Sequence, residues 1–379
     1  MNERIRALKP YPMVELARRK AALLESGVEV LDFGTGDPLE PTAPLIREAF
    51  AGSVPVTSQY PTGAGEVELR QAFASWFRGR FGVELDVADG ILPVRGSKEA
   101  MFHLPLVLLD PDSDRDVVVF PEPGYPVMEI GSLYAQAELH RHVLTADNGY
   151  LMDPAHIDEE VLARAAIVWL SYPHNPTGTD LPDELFEAWV AARDEHGFVL
   201  CSDECYTEIW FGDKRPRSVL EFGMEGCLAF HSLSKRSGMT GYRSGMVAGD
   251  PALVRWYREC RAGMGQAMPI MTQAASRVAW SDEVHVEERR RIFGAKRDMM
   301  LEGMQQLGLE VWPAHSTFYL WIRVPEGHTD QSYAELCLDR GIVVSPGSFF
   351  GEGNSGWFRI ALVPTPEGCA QALARWPRT

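Results

Sequence analysis

Short β-branched segments alternate with longer helical segments through the first two thirds of this 379-residue chain. The sequence predicts buried strands in the short segments Val117–Phe120, Ala166–Leu170, Phe198–Cys201 and Leu228–His231. Between them lie helical stretches such as Asp183–Arg193, whose apolar residues recur at helical spacing. This alternation predicts an α/β fold with a mostly parallel central sheet and helices on both of its faces.

Polar clusters follow three of the predicted strands directly. They are Ser171–Asn175, residues 202–204 and Ser232–Lys235. Ligands of open parallel sheets bind in the crevice beyond the carboxyl ends of the strands. The three clusters are therefore expected to converge on one site, although they are distant in the sequence.

The pattern changes after about residue 265. A long charged helical run, Asp282–Leu307, precedes strand-like segments such as Trp357–Leu362. This pattern predicts a smaller α+β domain at the C-terminal end of the chain. We expect three parts: an N-terminal segment that packs on the small domain (1–44), a large cofactor-binding domain (45–265) and the small domain (266–379).

The composition excludes several classes of function. The formal net charge of −17 repels phosphate backbones, so a nucleic-acid partner is not expected. Apolar runs such as Leu104–Leu109 are far shorter than the ~20 residues that span a bilayer, and Met1–Arg6 does not resemble a secretory signal. The six cysteines lack zinc or disulfide spacing, which predicts free thiols and no metal site. We expect a cytoplasmic protein.

Lys235 stands behind Ser232 and Ser234 and eight residues before Arg243. A lysine that forms a Schiff base with pyridoxal phosphate needs hydroxyls and a guanidinium to hold the phosphate while its amine reaches the aldehyde. A Ser-Lys cluster is equally typical of a solvated loop. The motif alone leaves both interpretations open.

Other segments offer the remaining groups that such a cofactor requires. Gly96-Ser-Lys-Glu99 opens a helical segment, and it either offers backbone N–H groups to a phosphate or is an ordinary N-cap. Tyr125 either stacks on the pyridine ring or belongs to a turn or the core. Asp203 ends a buried strand and either pairs with a protonated ring nitrogen or caps the strand. Arg359 either clamps a carboxylate or faces solvent.

In this order, the motifs resemble the fold-type-I pyridoxal-phosphate-dependent aminotransferases of class I/II over almost the whole chain. The matching motifs are Tyr60-x4-Gly65-x3-Leu69-Arg70, Gly96-Ser-Lys-Glu99, Pro123-Gly-Tyr125, Asn175-Pro-Thr-Gly178, Asp203-Glu-x-Tyr206, Ser232-x-Ser-Lys235, Gly241-Tyr-Arg243 and Phe358-Arg359. The spacings between them agree with the family's pattern. The resemblance implies the fold-type-I fold, with pyridoxal phosphate as the cofactor. It also implies that the substrates are amino acids and 2-oxo acids.

The resemblance also implies roles for single residues around the cofactor ring. Lys235 would form the Schiff base and then move the proton between Cα of the substrate and the cofactor. Asp203 would pair with the pyridinium nitrogen, while Asn175 and Tyr206 would bind the phenolic oxygen. Tyr125 would stack on the ring.

Phosphate and substrate contacts follow from the same resemblance. Tyr60 would reach the phosphate in the neighbouring subunit, which implies a homodimer with sites at the subunit interface. Arg359 would clamp the substrate α-carboxylate, with Asn175 and the backbone of Gly36 beside it. The phosphate itself would be held by Ser97, by Lys98 through its backbone N–H group, and by Ser232, Ser234 and Arg243.

Several segments are similar to one subgroup, the bacterial N-succinyldiaminopimelate aminotransferases of lysine biosynthesis. Among them are Leu8–Pro12, Ser202–Ile209, Asp282–His285 and Val344–Phe349. The resemblance implies N-succinyldiaminopimelate and its 2-oxo acid as substrates, with glutamate as amino donor. Pro123–Pro126 and Tyr172–Asn175 depart toward the general class I pattern.

These departures leave the specificity open. Aminotransferases of aspartate, alanine or aromatic specificity and a C–S β-lyase use the same apparatus. A regulator that binds the cofactor is a further alternative, which the acidic charge disfavours. Residues near Tyr11, 261–266 and 312–317 are candidates for the side-chain pocket without assigned roles.

Overall fold

The computed structural model describes residues 12–25 and 27–378. Of the subgroup segment Leu8–Pro12, only Pro12 is therefore described. The helices are α1 (Pro12–Glu25), α2 (Pro44–Gly52), α3 (Val67–Phe81), α4 (Ser97–His103), α5 (Pro105–Leu108), α6 (Val127–Tyr134), α7 (Glu159–Arg164), α8 (Asp183–His196), α9 (Leu233–Arg236), α10 (Pro251–Ala262), α11 (Ile270–Ser281), α12 (Val284–Gln306), α13 (Asp330–Leu338) and α14 (Pro366–Arg375).

In the described residues, the strands of the central sheet are β2 (Ile91–Val94), β3 (Val117–Glu122), β4 (Glu138–Val143), β5 (Ala165–Ser171), β6 (Val199–Asp203), β7 (Cys227–Ser232) and β8 (Gly245–Gly249). Their spatial order is β2-β8-β7-β6-β5-β3-β4. Strands β3 to β7 run parallel to one another, while β8 is antiparallel to both β2 and β7. The prediction of a mostly parallel sheet is confirmed.

Strand β5 shows why this sheet is buried on both faces. Val168 and Leu170 belong to the hydrophobic cluster on one face, and Ile167 and Trp169 belong to the cluster on the other. Successive side chains of a strand point to opposite faces, so a continuous apolar run fills both layers. A polar residue at the end of such a strand is therefore held in place by a strand that is packed on both faces.

The described residues also form two smaller sheets outside the central sheet. A parallel pair joins β1 to β10, and β12 lies between β11 and β9 in an antiparallel sheet. Their strands are β1 (Leu31–Asp32), β9 (Tyr319–Arg323), β10 (Ile342–Val343), β11 (Ser345–Pro346) and β12 (Trp357–Ala361). Leu31 and Phe33 pack into the same cluster as α12 and β9.

The packing of α11 bears on the domain boundary. Ala275, Ala279 and Trp280 of this helix pack in the cluster that also contains Ile46 of α2 and Phe73 of α3. We therefore propose that the large domain extends to about Ser281, whereas the predicted boundary at 265 would place α11 in the small domain. In the described part of the chain, no helix is both long and apolar enough to cross a membrane.

Candidate active site

A cavity of about 490 Å³ opens where β5, β6 and β7 end. Strand-end segments that are distant in the sequence meet there, as the sequence predicts. The predicted site residues in its wall are Gly36, Ser97, Lys98, Tyr125, Asn175, Asp203, Tyr206, Ser232, Ser234, Lys235, Arg243 and Arg359. Tyr60 lies apart from them with a fully exposed side chain.

Lys235 enters the cavity from the short helix α9, directly after β7. The Ser232 hydroxyl caps this helix and accepts a hydrogen bond from the Ser234 N–H at 3.1 Å. The Lys235 ammonium donates to the carbonyl oxygen of Gly36. Gly36 has to be glycine, because a Cβ there would lie well inside van der Waals distance of the Tyr319 hydroxyl.

Asp203 ends β6 and is buried. Its Oδ1 accepts a hydrogen bond from the Cys205 N–H at 3.2 Å. Burial raises the pKa of Asp203 to about 6, and the contact with Cys205 only partly offsets this rise. A buried carboxylate of this kind is stabilised by a cation, and a protonated ring nitrogen would supply one.

Another group of residues in the cavity wall is basic and rich in hydroxyl groups. Ser97 opens α4, and Gly96 before it has a φ of +85°. A Cβ at Gly96 would lie 2.5 Å from Nη2 of Arg243, so the guanidinium lies directly against this turn. Burial and the nearby Arg243 lower the pKa of Lys98. These positive groups and hydroxyls fit a phosphate.

Arg359 on β12 joins the small sheet to the loop after β5. It donates from Nη1 to Oδ1 of Asn175 at 2.8 Å and from Nη2 to the carbonyl of Gly34 at 2.7 Å. The guanidinium is buried over the ring of Tyr319, and its Nε has no hydrogen-bond partner among the described residues. A fixed guanidinium in the cavity wall fits a carboxylate.

His174 ties together the loops that carry Tyr125 and Asn175. Its ring nitrogens contact the Thr177 hydroxyl at 2.7 Å and the Pro123 carbonyl at 2.9 Å. Burial lowers the pKa of His174 to about 4, so the imidazole is neutral at pH 7. It therefore braces the site without adding charge.

Several wall residues were not predicted. Tyr319 hydrogen-bonds Tyr206 through the two hydroxyls at 2.8 Å, and burial raises the pKa of Tyr206 well above its usual range. The alternation of β9 could have placed Tyr319 on the face of Arg359, but not beside Tyr206. The other unpredicted wall residues are Thr35, Asp37, Pro126, Cys205, Thr240, Phe349 and Phe350.

Of the segments suggested for the side-chain pocket, 261–266 and 312–317 do not line this cavity. Arg261 pairs with Glu99 at 2.9 Å in the interior, and Trp312 donates to the Thr179 hydroxyl at 3.0 Å. Tyr11 lies outside the described residues. Phe349 and Phe350, which do line the cavity, follow the small-sheet strand β11.

Comparison with known proteins agrees with the geometry. The family model "Aminotransferase class I and II" matches residues 28–375. An LL-diaminopimelate aminotransferase of Aquifex aeolicus is 36% identical, with 99% of this chain and 97% of the relative covered. A solved aminotransferase of Neisseria meningitidis has a TM-score of 0.91 at 34% identity, covering 98% of each chain. An aspartate aminotransferase mutant of Thermus thermophilus has a TM-score of 0.91 at 26% identity, covering 99% of this chain and 98% of that one.

Members of this family use pyridoxal phosphate, and the cavity suits that group. The basic groups around Arg243 fit the phosphate, and the buried Asp203 would gain a cation from a protonated ring nitrogen. Lys235 lies in the wall of the same cavity. The chain belongs to the class I and II aminotransferase family, and its cofactor is pyridoxal phosphate.

Proposed function

We propose that this aminotransferase exchanges an amino group between LL-diaminopimelate and a 2-oxo acid, with glutamate and 2-oxoglutarate as the second pair. Diaminopimelate carries a carboxylate and an ammonium group at each end. The observation that carries the proposal is the presence of Arg359 and Asp37, two groups of opposite charge, in the wall of one cavity. Arg359 would hold the reacting carboxylate, and Asp37 would pair with the ammonium group at the far end.

The relatives support this substrate over the N-succinyl form that the sequence motifs imply. Relatives of 33 to 37% identity are named LL-diaminopimelate aminotransferases. A succinyl group replaces the far ammonium with an amide and adds a carboxylate, which Asp37 would repel. Glutamate has no second ammonium group, so it would bind without a contact to Asp37.

The cofactor supplies an electron sink that makes the substrate Cα–H acidic. The chain's own residues do the rest. Lys235 moves the proton to and from Cα as a positioned acid and base. Arg359 orients the substrate by its α-carboxylate, while Asp203 holds a positive charge at the ring nitrogen. Tyr206, hydrogen-bonded to Tyr319, offers a hydroxyl to the phenolic oxygen.

Tyr60 bears on the proposed assembly. Its side chain is exposed and does not line the cavity of its own chain, which favours a contact with the phosphate of a second subunit. We propose a cytoplasmic homodimer in which each Tyr60 completes the site of its partner.

Aspartate specificity is the second candidate for the function, since the similar Thermus thermophilus structure is an aspartate aminotransferase.

A panel of amino donors tests the substrate. Purified enzyme is given LL-diaminopimelate, N-succinyl-LL-diaminopimelate, glutamate, aspartate, alanine and phenylalanine, and the conversion of the bound cofactor is followed by absorbance. We expect the largest kcat/KM with LL-diaminopimelate. A larger value with the succinylated donor or with aspartate contradicts the proposal. Pyruvate and ammonia released from cystathionine without a 2-oxo acid indicate a β-lyase.

The variant Asp37→Asn tests whether the Asp37 carboxylate binds the far ammonium group of LL-diaminopimelate. Removing one carboxylate at the far end should lower kcat/KM for LL-diaminopimelate about tenfold, since one charge-assisted contact is lost. The value for glutamate should change less than about twofold, because glutamate has no far ammonium group. An equal loss for both donors would assign Asp37 a general role.

A further inference from the structure

The buried Arg289 and the partly buried Glu40 have charged atoms without hydrogen-bond partners among the described residues. Arg289 on α12 is 6% exposed, and none of its three guanidinium nitrogens has a hydrogen-bond partner among the described residues. Glu40 contacts Lys296 through Oε1, while its Oε2 has no partner in the same part of the chain. Buried donors and acceptors without partners are costly, so this arrangement needs a physical reason.

The two cations face the same carboxylate. Arg289 and Lys296 lie seven residues apart on α12, which places them on one side of the helix, two turns apart. Phe293 lies between them, with its ring centroid 5.6 Å from Cζ of Arg289 and 5.4 Å from Nζ of Lys296. Burial lowers the pKa of Arg289, and the charge of Glu40 acts against this change. Glu40 is therefore near both cations, but it pairs with only one.

Glu40 belongs to a segment, Gly34–Thr42, that we call the strap. At its far end, the Thr42 hydroxyl donates to the carbonyl of Gly238 at 2.6 Å. A Cβ at Gly238 would lie 2.6 Å from Nη1 of Arg289, so the guanidinium packs on this same turn. Gly238 follows Lys235 by three residues. Arg289 thus lies where the strap meets the loop of the cofactor lysine.

The near end of the strap contacts both reactive cations. The Gly34 carbonyl accepts from Arg359 at 2.7 Å, and the Gly36 carbonyl accepts from Lys235. A substrate carboxylate on Arg359 and a cofactor on Lys235 would draw on the same two cations. The position of the strap would then depend more on its other contacts.

We propose that Glu40 and Arg289 are positioning residues for the reaction. In the substrate-bound enzyme, the Glu40 carboxylate bridges Lys296 and Arg289, and this bridge fixes the strap over the substrate. The present structure holds only the Lys296 half of the bridge. The inference rests on Arg359 as the substrate clamp and not on which amino acid is the substrate.

Arg289→Met separates this role from a structural one. Methionine keeps the packing on Phe293 and removes a buried charge that has no hydrogen-bond partner among the described residues. The holoenzyme without substrate should therefore unfold at a higher temperature than wild type, although the substrate-bound enzyme loses one contact. An arginine that only stabilises the fold would show the opposite sign. Arg291→Met, an exposed change on the same helix, is the control.

The experiment measures thermal unfolding of the holoenzyme with and without saturating 2-oxoglutarate, and KM and kcat for the glutamate and LL-diaminopimelate half-reactions. For Arg289→Met we expect an unchanged cofactor spectrum, a smaller stabilisation by 2-oxoglutarate, and KM values about tenfold higher, as one charge-assisted hydrogen bond predicts. In a Glu40→Gln background, the same substitution should change KM less than about twofold.

A lower unfolding temperature with wild-type KM values would overturn the proposal, as would equal effects in the two backgrounds. A wild-type enzyme that 2-oxoglutarate does not stabilise would overturn it as well. Failure of LL-diaminopimelate as a substrate is a separate result. It would change the proposed function and leave the glutamate half-reaction to decide the role of Arg289.

Discussion

Arg359 donates from Nη1 to Oδ1 of Asn175 at 2.8 Å, although 184 residues separate the two in the sequence. One residue lies on the small-sheet strand β12, and the other follows β5 of the central sheet. This contact fixes the orientation of the guanidinium before any substrate arrives. A preoriented, buried clamp loses little conformational freedom on binding.

Arg359→Lys should therefore reduce substrate binding more than cofactor binding. Lysine keeps the charge but cannot contact Asn175 and a carboxylate through a planar fork. We expect kcat/KM to fall about a hundredfold, equivalent to ~3 kcal/mol, with an unchanged cofactor dissociation constant. Steady-state kinetics and cofactor titration measure the two effects. A loss of cofactor affinity with unchanged kcat/KM would assign Arg359 to the phosphate.

Asp203→Asn should stabilise the cofactor-free protein in a pH-dependent way. The pKa of this carboxyl rises from 3.8 to about 6 on folding. Below about pH 4 the group is protonated in both states and the substitution changes little; as the pH rises from there through 6, the wild type loses stability that the variant keeps. The difference at pH 8 should approach ~2–3 kcal/mol. Denaturant unfolding of the apoenzyme at pH 4 and pH 8 measures it.

The holoenzyme should respond to the same substitution with the opposite sign. The Asp203→Asn variant has no negative charge opposite the ring nitrogen, so cofactor affinity and turnover should both fall. Equal apoenzyme stability of the variant and wild type at pH 8 would contradict the burial of an unpaired carboxylate.

Gly36→Ala should damage the site although it adds a single methyl group. Its Cβ would overlap the Tyr319 hydroxyl, which is itself bonded to Tyr206. The strap or Tyr319 must move, and overpacking of this kind costs ~1–3 kcal/mol. We expect kcat/KM to fall by tenfold or more, as steady-state assays would show. Gly63→Ala is the control, since a Cβ there meets nothing within 4 Å, and a similar loss in both variants would contradict the steric argument.

Tyr60 can be tested by mixing two defective proteins. If Tyr60 completes the site of the partner subunit, a hybrid of Lys235→Ala and Tyr60→Ala subunits contains one site with both native residues. Refolding the two variants together should therefore yield more activity at limiting cofactor than either variant alone. If Tyr60 acts within its own chain, no native site forms and the mixture shows no gain.

The cofactor end of the site was predictable because its residues are local to strand ends. Asp203 and Lys235 follow recognisable buried strands, and parallel strands bring their carboxyl ends together. Their lining of one cavity follows from that rule. The fold class and the cofactor are confirmed, while the roles of single residues stay predictions.

The substrate end depends on contacts that no local pattern specifies. Asp37 and Tyr319 lie on the cavity wall only because the strap packs on β9 and β12. Segment 312–317, which was a candidate for the substrate side-chain pocket, is not part of the cavity wall. Its Trp312 instead donates a hydrogen bond to the Thr179 hydroxyl. Apolar alternation locates a strand, but it does not tell which of its residues meets a distant loop.

The most direct test concerns Lys235 itself. Reduction of the holoenzyme with borohydride, followed by peptide mass spectrometry, identifies the lysine that carries the cofactor. We expect the label on Lys235, and we expect Lys235→Ala to lose both the label and nearly all turnover while Lys98→Ala keeps its label on Lys235. A label on Lys98, the other lysine in the cavity wall, or wild-type turnover in Lys235→Ala would contradict the assignment.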